Sequence, residues 1–253
     1  MARAAKSWAG ALVAGTAFLV SLFFVRDTAS HVALEQATHH SGADARAPRM
    51  REAFPQATYR DPALRSCSQA GLVNNLNDAL AWGLVPLYLT ANGAGTGSIG
   101  LVAGIYPAVW GLGQIWTGHR SDRVGRKPLI VAGMLVQAAA LALLITSNGA
   151  VTLAAISAVG LGAGTALVYP TLIATISDRA SPVARPPMVG VYRFWRDTGF
   201  ALGAIVAGLG SDLLSPAAAI VIVAALTAAS GLAVLATPWT RRPPATAPLP
   251  ERP

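Results

Sequence analysis

A chain of 253 residues that is 53% hydrophobic and 12% charged, with a mean hydropathy of +0.50, has too little polar surface to coat a water-soluble globule, in which about 25% of residues are charged. Its net charge of +8 does not point to nucleic acid, because the basic residues stand between apolar runs and no polar element carries a basic patch. A single cysteine, Cys67, excludes an intrachain disulfide, and four histidines outside the apolar runs give no expectation of a buried metal site or a cofactor.

Seven apolar stretches follow one another at 8–25, 69–91, 97–117, 128–147, 150–176, 188–210 and 216–237. Each is close to the ~20 residues a helix needs to cross ~30 Å of hydrocarbon. Backbone polar groups in lipid must be satisfied internally, and the runs show no two-residue alternation, so helices are predicted and strands are not. The segment 26–68 carries Pro48, Pro55, Pro62 and mixed charge. It reads as a polar linker with a short surface helix at most. Asn92–Ser98 and Ser147–Gly149 are turns, Pro216 opens the last stretch at a first helical turn, and the Pro-rich residues 238–253 are expected to be a disordered tail.

Lys and Arg gather in alternate connections. Arg120, Arg123, Arg126 and Lys127 follow the third stretch, Arg179 and Arg185 follow the fifth, and Arg241 and Arg242 follow the seventh, while 92–97, 148–149 and 211–215 have none. The positive-inside rule places the linker, the basic connections and the C-terminus in the cytoplasm. A multi-pass protein of the cell membrane is therefore predicted. Arg3 and Lys6 before the first stretch would by themselves suit a signal peptide. The four basic residues after the third stretch outweigh them, so the first stretch is expected to be the end of a missing N-terminal half.

Gly118-His119-Arg120-Ser121-Asp122-Arg123-Val124-Gly125-Arg126-Lys127 lies between the third and fourth stretches. It resembles the signature loop of the major facilitator superfamily: Gly, three residues, Asp, a basic residue, one residue, Gly and two basic residues. Arg120 departs from the pattern, in which that place is apolar. Gly118 is expected to let the chain leave its helix closely packed, Asp122 to cap a helix or pair with an arginine, and Gly125 to supply the turn. Arg126 and Lys127 would hold the segment at the cytoplasmic face. The resemblance implies that Gly118, Asp122, Arg123, Gly125, Arg126 and Lys127 form a latch that opens and closes during transport. It also implies an all-α integral membrane fold: a six-helix half bundle (69–237) preceded by one N-terminal transmembrane helix (1–25) and the central cytoplasmic linker (26–68).

Charge inside a membrane costs about 2.5–3.5 kcal/mol at the bilayer centre, so residues that carry it face a cavity or a partner. Nine residues from position 69 put Asp78 roughly 13 Å deep. Asn74, Asn77, Asp78 and Trp82 stand three and four apart and share a face. Either this face lines a solute or proton pathway, or it makes interhelical hydrogen bonds that only hold the bundle. Arg193, Arg196 and Asp197 lie inside the sixth stretch. An Arg193–Asp197 pair along the helix would leave Arg196 needing an anion; Asp78 is expected to pair with Arg196 (or Arg193), in a contact made and broken in the cycle or in a permanent one. A buried Asp78 is also a candidate proton carrier. Gly100/Gly104 and Gly199/Gly203 are small-residue pairs that favour close helix approach. Gln114, Tyr106 and Tyr169 are further polar positions, expected to be structural.

An intramembrane enzyme would need a nucleophile–base pair, paired acids or a metal cluster in the spans. The intramembrane acids are Asp78 and Asp197, without histidine or cysteine beside them. The expected activity is alternating-access transport of a small solute, coupled to H+ as a secondary transporter. Its partners would be the lipid bilayer, the solute and an N-terminal half-transporter chain, with no nucleic acid. The alternative is a non-transporting membrane scaffold.

Overall fold

The computed structural model describes residues 47–239 and, earlier in the chain, the helical positions 15, 16, 18, 19 and 21–23. The chain divides into two units, Met1–Ala45 and Arg46–Pro253. The expected first span, 8–25, and the tail beyond 239 lie largely outside the described residues.

The second unit opens with a short helix, α1 (Met50–Pro55), and a π-helical turn, Gln56–Arg60. Six long helices follow: α2 (Pro62–Ala91), α3 (Thr96–Val124), α4 (Arg126–Thr146), α5 (Val151–Arg179), α6 (Arg185–Leu213) and α7 (Pro216–Ala236). Among the described residues every regular element is helical. Length and apolarity alone qualify Thr96–Gly118, α4, α5 and α7 to cross a membrane. The fold is thus an all-α membrane bundle. In α2 and α6 the polar residues within the helix lower the mean hydropathy; α2 buries Asn74, Asn75, Asn77 and Asp78 against its neighbours, whereas Arg193 and Asp197 of α6 are exposed.

Local chemistry sets the helix ends. The Asp61 carboxylate accepts hydrogen bonds from the Ala63 and Leu64 amides at 2.9 and 3.0 Å, with Pro62 at the first helical position. This cap starts α2 seven residues before the apolar run begins at 69. Asp78 consequently sits about 24 Å from the start of a helix about 45 Å long, at its middle. Ser215 caps α7 through the Ala218 amide at 3.1 Å. The expected surface helix in 26–68 is present as α1, but it is not free: Phe54 packs edge-on to Phe194 and tilted on Trp195, whose indole donates to Thr58 Oγ1 at 3.0 Å.

α2 packs on α6, α5 on α3 and α4, and α4 on α7. The α2–α6 approach depends on Gly199 and Gly203. A Cβ at Gly203 would lie 2.7 Å from the Leu76 carbonyl oxygen and 2.9 Å from the Ala79 Cβ, so only hydrogen fits there. Gly100 and Gly104 behave differently from expectation. Nothing within 4 Å would meet a Cβ at either, because the face of α3 that carries them is turned away from this bundle.

The apolar core comes in two clusters. One is centred on Leu80, Leu84, Leu141 and Ile220, the other on Ile130, Met134, Leu172 and Ile176. Between them, at the mid-height of four helices, runs a buried polar layer: Asn74 and Asn77 on α2, Gln137 on α4, Thr165 on α5 and Thr227 on α7.

The basic connections meet at one end of the bundle. Arg126 on α4 reaches Asp178 near the end of α5 (Nε–Oδ2 2.9 Å). Lys127 donates to the Leu235 and Thr237 carbonyls at the end of α7 (2.8 and 2.9 Å). Arg179 lies 3.6 Å from Asp61 at the start of α2.

Candidate functional site: a polar cavity between α2, α3 and α6

Four polar residues crowd into five positions of α2, and the structure sends them two ways. Asn74 and Asn77 face inward. Asn77 Nδ2 donates to Gln137 Oε1 at 2.8 Å, Gln137 Nε2 donates to Asn74 Oδ1 at 3.0 Å, and Thr227 Oγ1 donates to Asn77 Oδ1 at 2.9 Å. One turn away, Gln69 and Ser230 join α2 to α7 in the same manner, with Ser230 Oγ donating to Gln69 Oε1 at 2.9 Å. These groups are paired with each other and closed to the outside.

Asn75, Asp78 and Trp82 face the other way. With Trp110 from α3 and Arg196, Asp197 and Phe200 from α6 they line an open cavity of about 400 Å³. Two of the four residues expected on one α2 face are therefore absent from the cavity wall. Asn75, at the three-residue spacing from Asp78, takes the place foreseen for Asn74. The side chain of Trp82 is half exposed, at 49%.

The Asp78 carboxylate accepts a hydrogen bond from the Tyr106 hydroxyl of α3, which also approaches Thr165 Oγ1 of α5 at 3.4 Å. Tyr106 was foreseen as structural. It is the direct hydrogen-bond partner of Asp78, which is the buried acid among the described residues. Tyr106 and Trp82 stand edge to face, with centroids 6.1 Å apart, and separate the cavity from a second void of about 20 Å³. Tyr106 stacks on Trp110, and Trp110 meets Tyr169 at 5.9 Å. The Arg196 guanidinium lies 5.0 Å over the Tyr169 ring. An unbroken aromatic row thus connects Trp82 to Arg196, with cation–π attraction at its far end.

Arg196 is also held by its chain neighbour, Nη1 to Asp197 Oδ1 at 3.0 Å, and its carbonyl accepts from Asn75 Nδ2 at 2.9 Å. The anticipated Arg193–Asp197 pair along the helix does not form, because Arg193 points outward and Asp197 is engaged by Arg196. No Arg196 nitrogen lies within 4.0 Å of the Asp78 carboxylate. Arg196 Nε and Trp110 Nε1 are buried without a hydrogen-bond partner, which leaves two unpaired donors on residues of the cavity wall.

The signature segment departs from the expectation of a loop. α3 continues through it to Val124, and Gly125 (φ 97°) is a single-residue joint before α4 begins at Arg126. That left-handed conformation explains the glycine. Arg126 is a fork: Nη2 to Asp122 Oδ1 at 2.8 Å, Nε to Asp178 Oδ2 at 2.9 Å, and Nη1 to Ser121 Oγ. Arg123 is exposed. Gly118 is not a packing point, since no atom within 4 Å would meet a Cβ there.

Six long helices, a mid-height polar layer and a cavity walled by Asp, Arg, Asn and aromatic side chains define the class of polytopic membrane transporters. Residues 68–253 match the family model of the Major Facilitator Superfamily, and the chain belongs to that family. Over 69 residues, 27% of this chain, it is 38% identical to Multidrug resistance protein D of Escherichia coli (strain K12). That stretch spans 18% of the relative's length. The family points to a membrane transporter of a small solute rather than to an enzyme.

Proposed function

We propose that this chain forms one wall of an alternating-access secondary transporter, with Asp78 as the residue that exchanges a proton or a solute contact in each cycle. The observation that supports the reading is the position of Asp78: mid-helix, hydrogen-bonded to Tyr106, and on the wall of a 400 Å³ cavity. Asn75, Trp82, Arg196 and Asp197 stand on that wall with it, and a small polar solute suits this mixture of amide, charged and aromatic groups. In this conformation Tyr106 holds Asp78, and Asp197 with Tyr169 holds Arg196. Our reading is that Asp78 and Arg196 trade these partners for each other when the cavity changes sides. The Arg126 fork to Asp122 and Asp178 is the latch of that motion.

The basic end of the bundle faces the cytoplasm of the cell membrane in this proposal, which also puts the C-terminus inside. The other wall comes from an N-terminal half, on the same or another chain. A non-transporting scaffold is the competing reading. Co-expression with an N-terminal half followed by solute uptake separates the two, because a scaffold gives no uptake with either partner. Within an active assembly, Asp78→Asn should abolish pH-driven uptake while the protein still inserts in the membrane. Undiminished pH-driven uptake by that variant would remove Asp78 from the mechanism.

A further inference from the structure

Arg120 stands where the signature pattern has an apolar residue, and neither the latch nor the cavity uses it. It is exposed, and among the described residues it makes no ion pair within 4.0 Å. The acid nearest in sequence, Asp122, is occupied by Arg126, as is Asp178 at the end of α5. The guanidinium therefore carries an unneutralised charge two residues beyond Gly118, where the apolar part of α3 ends.

Arg120 also closes one end of a groove of about 270 Å³ between α3 and α5. The walls are apolar or small: Val109, Gly113 and Trp116 from α3, and Ala163, Ala166 and Leu167 from α5. Trp116 lies one turn inward from Arg120 and is 75% exposed. From Val109 to Arg120 the groove extends about 16 Å along the helix, close to half of the ~30 Å hydrocarbon thickness. Its length is thus that of one leaflet. A cation sits at headgroup level, an indole just below it in the aromatic belt, and an apolar channel runs from there to the bilayer midplane.

We propose that this groove is a site for an anionic phospholipid, the phosphate of the headgroup on Arg120 and one acyl chain lying along α3 and α5 past Trp116. Charge complementarity selects the lipid: a guanidinium at the surface with no acid paired to it favours a headgroup with net negative charge over a zwitterionic one. The channel distinguishes this site from general attraction of a basic protein to an acidic membrane, which needs no groove.

The test uses the full chain in phosphatidylcholine vesicles into which either brominated phosphatidylglycerol or brominated phosphatidylcholine is titrated. The emission of Trp116 is obtained by subtracting a Trp116→Phe variant. Quenching of that component at a several-fold lower mole fraction of the anionic lipid is expected. Arg120→Gln should make the two curves coincide, Arg120→Lys should keep part of the preference, and Arg65→Gln, an exposed arginine outside the groove, should leave it intact. Coincident curves for the parent chain would overturn the proposal, as would a preference that survives Arg120→Gln or is lost equally in Arg65→Gln.

Discussion

Asn74 with Asn77 and Asn75 with Asp78 occupy the same turn and a half of α2, yet they belong to different regions. The first pair is closed in a layer with Gln137 and Thr227, where each side-chain contact is supplied by another helix. The second pair is also buried, but it backs an open cavity and is held by Tyr106 and by the Arg196 carbonyl. The contrast teaches that polarity in a membrane helix has two uses. A satisfied network resists change because breaking it strands polar groups in hydrocarbon. A partly satisfied wall can accept a solute, a proton or a new partner.

Substitutions can break or sharpen this contrast. The largest effect is expected at Gly203→Val, which forces atoms into the Leu76 backbone and parts α2 from α6. Overpacking costs about 1–3 kcal/mol and more where backbone must move. Both regions should fail together, seen as loss of the monodisperse species in detergent size-exclusion. A variant that elutes like the parent would show that the helix contact is not what positions them.

Gln137→Leu comes next. It removes two hydrogen bonds of the closed layer, and at about 0.6–1.7 kcal/mol for each such bond in membranes the loss is roughly 1–3 kcal/mol. Thermal unfolding should occur at lower temperature, while the protein that remains folded keeps its solute affinity. A changed affinity with unchanged stability would reverse the assignment of the two regions. The smallest stability effect is expected for Asn75→Leu, which loses one bond, about 0.6 kcal/mol. Its signature is functional instead: altered uptake or binding in an assembly whose melting is close to that of the parent.

Much of the architecture was legible because lipid imposes a length and an apolarity that show directly in the runs 97–117, 128–147, 150–176, 188–210 and 216–237. The helix ends were less so: Asp61 extends α2 to Pro62 through a cap, and α3 passes through Gly118, Arg120 and Arg123 without breaking. The rotation of α2 was not legible at all. At about 100° per residue, Asn74, Asn75, Asn77 and Asp78 spread over nearly half of the helix circumference. Their spacing admits more than one shared face. What decides is Gln137 on α4 and Thr227 on α7, isolated polar residues in otherwise apolar runs, whose position opposite Asn77 only the packing reveals. The contact of Tyr106 with Asp78 was hidden for the same reason: what a tyrosine hydroxyl meets is set by packing.

The docking of α1 has its own consequence. Trp195 fastens the incoming segment through Thr58 and Phe54, and the next residue, Arg196, looks into the cavity. A pull on α1 would therefore reach a position one peptide bond away from a residue of the cavity wall. α1 is accordingly a tether on α6 rather than slack rope.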